Sequence, residues 1–323
     1  MSASSTASAR KTHVLRRLRA WWDGYYIEDD DLAPPGGGVS MAAMVDEAAE
    51  RESAGPVDPR VAAAFSDPRV QIMERMFGEG FTGPGGRDLI KDLVQPLGLD
   101  SSMTVLDIGS GLGGGTRAIH AETGAWVTGY ESSPLYVEAA MELSKMEGLD
   151  RKAPIHAFDP EHLELKPNGT NAIFSKDALF TIKNKESLIE ALYAGLKVDG
   201  QLLITDYLAK TGDASGAAID EWVAGEPAKP HLWSLDRVRT LLADLGFEIR
   251  VSEDVSDATQ ALITRSWAMT GEILGDKSSL AGGLGPALLA EAELWLRRMR
   301  VLESGQVGAY RIYCRKIDPA LRR

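Results

Sequence analysis

Val105-Leu106-Asp107-Ile108-Gly109-Ser110-Gly111-Leu112-Gly113-Gly114-Gly115 runs from an apolar stretch into a turn in which five of seven residues are glycine. The apolar residues predict a short buried strand over residues 103–108. The glycines predict a tight passage into a helix near residues 116–122. Outward from this point, residues 125–130 read as a second strand, 172–175 as a third and 201–205 as a fourth. Late strands are expected at 247–252 and 309–314, and helices at 134–147 and 185–196. Strand and helix in alternation imply an α/β chain, with a mainly parallel sheet and helices on both faces. On such sheets ligands bind outside the carboxyl ends of the strands, where the strand order reverses.

Two acidic residues narrow the ligand. Asp107 stands just before the glycines, where a carboxylate repels a pyrophosphate but can pair with a cation. Glu131 ends the second strand after Gly129-Tyr130, and an acidic residue there can accept both hydroxyls of a ribose. A ribose with positive charge and no phosphate describes S-adenosylmethionine, which carries an ammonium and a sulfonium. The alternative, a strand-to-helix turn that binds nothing, explains the glycines but not the two acids.

Three further motifs accompany the glycine turn. They are Phe77-Gly78-Glu79-Gly80-Phe81-Thr82-Gly83-Pro84-Gly85-Gly86, then Ser175-Lys176-Asp177-Ala178-Leu179, then Leu202-Leu203-Ile204-Thr205-Asp206-Tyr207. In this order, over Phe65 to Tyr207, the chain resembles the class I S-adenosylmethionine-dependent methyltransferases, and within them the phosphoethanolamine N-methyltransferases. The resemblance implies a Rossmann-like fold preceded by an N-terminal arm. It implies that Phe81, Thr82 and Gly83 cover the cofactor and that Gly109 and Gly111 touch its methionine end. It also implies that Glu131 and Ser132 hold the ribose, that Asp159 and Pro160 flank the adenine, and that Lys176 lies near the cofactor.

The substrate half of the pattern departs from that family. A tyrosine and a histidine beside the methyl-accepting amine fall on Phe65 and Thr181 in this chain. The stretch that grips the substrate phosphate reads Glu226-Pro227-Ala228-Lys229-Pro230-His231, without the expected arginine and tyrosine. Thr181 and Asp177 are the candidates for work at the acceptor. Asp177 follows the third strand, where it either anchors a cationic or polar acceptor or caps the next helix. The function implied is N-methylation of a small amine or an amine head group, small-molecule or lipid. An S-, O- or C-methyltransferase, or a non-catalytic binder of the same cofactor, is the alternative. Trp267, Met269 and Trp295 lie on apolar helical stretches between the last two strands and read as core. There and in residues 210–231 this kind of fold can build a cap.

Composition sets outer bounds. The chain has 323 residues, 44% apolar and 25% charged, an ordinary globular balance. With 47 acidic against 35 basic residues it carries a net charge of −12, which argues against a nucleic-acid binder. Cys314 is the single cysteine, so no intrachain disulfide can form. The five histidines show no metal-ligand spacing, and no metal is expected. No apolar run reaches the length of a membrane span, and a cytoplasmic protein is expected. Residues 1–27 form a basic and aromatic arm, 28–60 a linker, 61–100 a helical segment over the cofactor, and 101–317 the core with cap insertions. Within the arm, residues 10–26 carry Arg10, Lys11, Arg16, Arg17 and Arg19, followed by Trp21, Trp22, Tyr25 and Tyr26. They suit either weak contact with an anionic membrane surface or a lid over the site.

Overall fold

The computed structural model describes residues 59–212, 214–275, 284–318 and 320, with side chains left out over 269–275. The expected arm, the linker up to residue 58 and the side chain of Met269 lie outside the described residues.

A seven-stranded sheet with the order β3-β2-β1-β4-β5-β7-β6 forms the centre. β1 (Thr104–Ile108) lies between β2 (Trp126–Glu131) and β4 (Thr170–Lys176), parallel to both. β5 (Leu196–Ala209) continues the parallel set beyond β4. The order reverses at β1, so the glycine turn that leaves it sits at the switch point. The two late strands exist where expected, but β7 (Val307–Lys316) runs antiparallel to both β5 and β6 (Phe247–Asp254). β3 (Ile155–Ala157) was not foreseen. Three residues at a sheet edge are too few to show alternation.

Both faces of the sheet are covered, and the β4 and β5 sequences show why. Ile173 and Leu202 join one buried cluster, with Leu188 and Leu192 of α6 (Lys185–Gly195) and Leu242 of α8 (Leu235–Leu245). Their neighbours Phe174 and Leu203 join another, with Ile90 and Leu93 of α3 (Gly86–Val94) and Ile119 of α4 (Gly114–Thr123). Successive strand side chains point to opposite faces, so a continuous apolar run fills two cores at once. α5 (Pro134–Met146) follows β2 and starts at a proline, whose fixed φ suits the first helical position.

A third cluster lies above these layers. It joins α1 (Pro59–Ser66) and α2 (Pro68–Phe77) to α9 (Ser256–Gly275) and α10 (Leu284–Glu303), through Met73, Phe77, Ile263, Leu288 and Trp295. α9 and α10 are the helices expected between the last two strands. α7 (Ala217–Gly225) lies in the other anticipated cap segment and packs against α10.

Candidate active site

The glycine turn is held in shape by its own backbone and by Glu131. Gly109 and Gly111 have φ of 77° and 57°, which a side chain rarely tolerates. A Cβ on Gly109 would collide with Ala178, and one on Gly111 would lie 3.0 Å from Thr82 Oγ1. Glu131 is buried at the end of β2. Its Oε2 accepts the Gly111 N–H at 2.8 Å and its Oε1 accepts the Ser133 N–H at 2.8 Å. Each carboxylate oxygen keeps a second lone pair. The Ser132 hydroxyl lies 3.5 Å from Oε1.

Asp107 lies beneath the turn, almost wholly buried. Its Oδ2 accepts the Thr116 hydroxyl at 2.7 Å. Burial pushes its carboxyl up to about 7; the Thr116 bond opposes this, and the Glu131 charge adds to it. Ser110 Oγ is buried here with no hydrogen-bond partner among the described residues.

Phe81, Thr82 and Gly83 fold directly onto this turn. The Gly114 N–H donates to the Gly80 carbonyl at 2.9 Å. From below, Glu74 Oε1 accepts the Gly80 N–H at 3.1 Å, and burial raises the Glu74 carboxyl to about 7. Arg117, unremarked in the sequence, is the other fastener. It is 2% exposed, pairs with Glu147 at 2.7 Å, and donates to the carbonyls of Leu112 and Ala140.

On the far side, the Phe158 N–H bonds the Glu131 carbonyl at 3.1 Å and carries the chain to Asp159 and Pro160. The Asp159 carboxylate is exposed. One oxygen accepts the Glu161 N–H and the other pairs with His162 at 2.7 Å.

At the carboxyl end of β4 the backbone turns through Asp177, whose φ is 53°. Its carboxylate pairs with Lys176 Nζ at 2.6 Å and accepts the Thr205 hydroxyl at 3.0 Å. The helix-cap alternative for Asp177 is therefore corrected. The short 3-10 turn Leu179–Thr181 has Ala178 at its cap position, and Asp177 directs its side chain at β5 instead. The Thr181 hydroxyl donates to the Ala178 carbonyl at 2.9 Å. Behind this turn Asp206 accepts the Phe180 N–H. Lys185, 2% exposed, donates to the carbonyls of Ile182 and His231. Burial raises Asp206 and lowers Lys185.

Two Arg–Glu–Trp units with buried glutamates complete the surroundings. Arg69 pairs with Glu291, which also accepts Trp295 Nε1 at 3.2 Å. Arg298 forms a two-pronged pair with Glu226 at 2.6 and 2.8 Å, and Glu226 accepts Trp222 Nε1 at 2.6 Å. Burial works against the Arg298 charge, but the Glu226 bonds and charge hold its pKa above the ordinary value. The Arg298 guanidinium lies 4.5 Å from the centre of the Trp295 ring, linking the units. Of these six residues the sequence reading names Trp295 and, at the head of the 226–231 stretch, Glu226, but neither arginine. Partners 72 and 222 residues apart leave no local signal.

Comparison with known proteins fits this geometry. Residues 85–251 match the methyltransferase domain family, extending past the motifs that end at Tyr207. A phosphoethanolamine N-methyltransferase from Plasmodium falciparum is 32% identical over 201 residues, covering 62% of this chain and 74% of that protein. Phosphoethanolamine N-methyltransferase 3 of Arabidopsis thaliana is 30% identical over 192 residues. There the chain spans only 38% of the relative's length. Among solved structures, Haemonchus contortus phosphoethanolamine N-methyltransferase 2 superposes with a TM-score of 0.68 at 24% identity, covering 80% of this chain and 58% of that one. A putative sarcosine dimethylglycine methyltransferase from Galdieria sulphuraria superposes with 0.66 at 17% identity, covering 78% and 98%. These two likenesses are of fold. The family match and the Plasmodium falciparum relative, with the reversed strand order at the glycine turn and the two acids around it, lead to one conclusion: the chain belongs to the S-adenosylmethionine-dependent methyltransferases, in the family of the phosphoethanolamine N-methyltransferases.

Proposed function

We propose that the chain methylates the nitrogen of a small amine or an amine head group. Asp177 is the observation that carries this reading. It places a carboxylate at the carboxyl end of β4, close to the segment that folds over the glycine turn. A Cβ on Gly83 of that segment would lie 3.8 Å from Lys176 Nζ, which is itself paired with Asp177. A carboxylate there can receive the N–H groups of an amine and fix the direction of its lone pair. The relatives' names, which specify N-methylation of phosphoethanolamine, support the same acceptor atom.

The cofactor supplies an electrophilic methyl group when bound. The chain fits it: the glycine turn offers bare backbone, Glu131 retains lone-pair capacity for a ribose, and Ser110 Oγ has no partner among the described residues. Glu131, Ser132, Gly109 and Gly111 would hold it, with Phe81, Thr82 and Gly83 above, Lys176 nearby, and Asp159 and Pro160 on the adenine side. The remaining work is positioning. Bringing acceptor and methyl to about 3–3.5 Å supplies much of the rate of such a displacement. An amine bound as the free base needs no proton removed first, so loss of the tyrosine and histidine at Phe65 and Thr181 is tolerable.

The test is adenosylhomocysteine formation with a panel of small amines. Asp177→Asn should raise the apparent KM for the amine about tenfold, the worth of a charged hydrogen bond, and leave cofactor affinity alone. Thr181→Ala should lower turnover less than tenfold. A loss of about 10²–10⁴-fold, the scale of general acid–base catalysis, would show that Thr181 moves a proton. No product from any amine would overturn the reading.

Asp107 adds a pH dependence. Its carboxyl, near 7 in the free protein, must ionise to pair with a cationic ligand. Cofactor affinity should rise as pH climbs through about 7, and Asp107→Asn should flatten the profile. The same raised pKa means that the cofactor-free fold gives up stability as pH rises from the ordinary carboxylate range through about 7. Flat calorimetric affinity from pH 6 to 8 in the wild type would contradict the pairing.

Residues 10–26 are assigned either to a lid or to an anionic membrane surface. Deleting 1–26 should cut turnover on a soluble amine in the first case. In the second it should cut salt-sensitive binding to anionic vesicles. No change in either would leave the arm outside this function.

A further inference from the structure

Around the proposed acceptor side the cations named above, among the described residues, already have partners. Lys176 is paired with Asp177, Arg69 with Glu291, and Arg298 with Glu226. Lys185 is taken up by backbone carbonyls. Glu226 stands immediately after α7 with its side chain 2% exposed, and both its oxygens face Arg298. The Arg298 guanidinium lies one ring away from the covering segment. It rests on Trp295, whose ring edge would lie 3.5 Å from a Cβ on Gly83.

A phosphate monoester carries roughly −1.5 to −2 charges near neutral pH. To bind here it must either enter a charge-balanced site without a counter-ion or displace Glu226 from Arg298. The first leaves a desolvated dianion, and the second a buried carboxylate without a partner; both are strongly unfavourable. An amine meets the opposite conditions. Asp177 offers it a carboxylate without any change at Arg298, whose guanidinium stays over Phe180 and Tyr207 at 5.7 and 5.9 Å.

We infer that Glu226 determines specificity: by engaging both prongs of Arg298 it withholds the guanidinium from the acceptor, so the site takes an amine that carries no phosphate. The inference rests on the amine reading above and sets this chain apart from its named relatives in acceptor chemistry.

The experiment is calorimetry on the full chain saturated with adenosylhomocysteine, with ethanolamine, phosphoethanolamine and inorganic phosphate as probes. The wild type should bind phosphoethanolamine no more tightly than ethanolamine, and phosphate without saturation. Glu226→Gln, which keeps the shape but releases the Arg298 charge, should bind phosphoethanolamine and phosphate at least about tenfold more tightly, the worth of a charge-assisted bond. Tighter wild-type binding of phosphoethanolamine than of ethanolamine, or equal phosphate affinity in wild type and variant, overturns the inference. If Glu226→Gln does not fold, the wild-type comparison decides alone. Phosphate has no amine, so its contrast survives a failure of the amine reading. That failure appears separately, as absence of methyl transfer to every amine tested.

Discussion

Glu131→Ala should weaken S-adenosylmethionine binding by roughly 10- to 100-fold, the scale of one charge-assisted hydrogen bond at about 1.5–3 kcal/mol. Two losses combine. Glu131 is the acidic residue at the end of β2 proposed to hold the ribose, and it also fixes the turn by accepting the Gly111 and Ser133 N–H groups. Without it the Gly111 N–H is left unpaired, and a glycine-rich loop regains freedom that binding must then remove. Glu131→Gln separates the two parts. The amide keeps one acceptor oxygen for the turn and loses the charge, so its affinity should fall between wild type and alanine. Calorimetry on the three proteins, with thermal melts confirming the fold, is the measurement. Equal affinity in all three would remove Glu131 from the cofactor site.

The strand, the glycine turn and the placing of its two acids were legible because their signals are local. A strand, a glycine turn and an acid at the end of the next strand lie within 105–131, and each constrains the backbone directly. Asp177 was legible as a position but not as a conformation. Whether its carboxylate caps a helix or turns to Thr205 depends on its left-handed φ, which no neighbour in sequence announces. β3 was missed because pairing with β2, not its own three residues, makes it a strand. The antiparallel run of β7 was hidden for a similar reason: its direction is set by where α9 and α10 return the chain. The Arg–Glu–Trp units left no trace because their partners meet only in space, and a lone arginine on an amphipathic helix reads as a solvated face.

Arg298→Met should be the most destabilising of the changes considered. It keeps most of the apolar stem but leaves Glu226, 2% exposed, without its partner. Removing one member of a buried pair costs about 3–5 kcal/mol, more than the pair itself is worth, because the survivor cannot regain its water. For a chain of this size each kcal/mol moves the melting temperature by about 2–4 °C, so a fall of roughly 6–20 °C is expected. The loss should depend on pH in a fixed sense. Stranded in apolar surroundings, Glu226 of the variant titrates above its unfolded value. The penalty is then small at low pH, where the carboxyl is protonated in both states, and grows as pH rises from the ordinary carboxylate range toward the raised pKa. The gap between variant and wild type should therefore be wider at pH 8 than at pH 5. Replacing both members, Arg298→Met with Glu226→Met, should recover much of the loss, since two packed apolar chains often match a buried pair. A variant that melts within a degree of wild type at both pH values would mean that Glu226 finds water in solution, and that the pair neither fastens α7 to α10 nor neutralises the acceptor side.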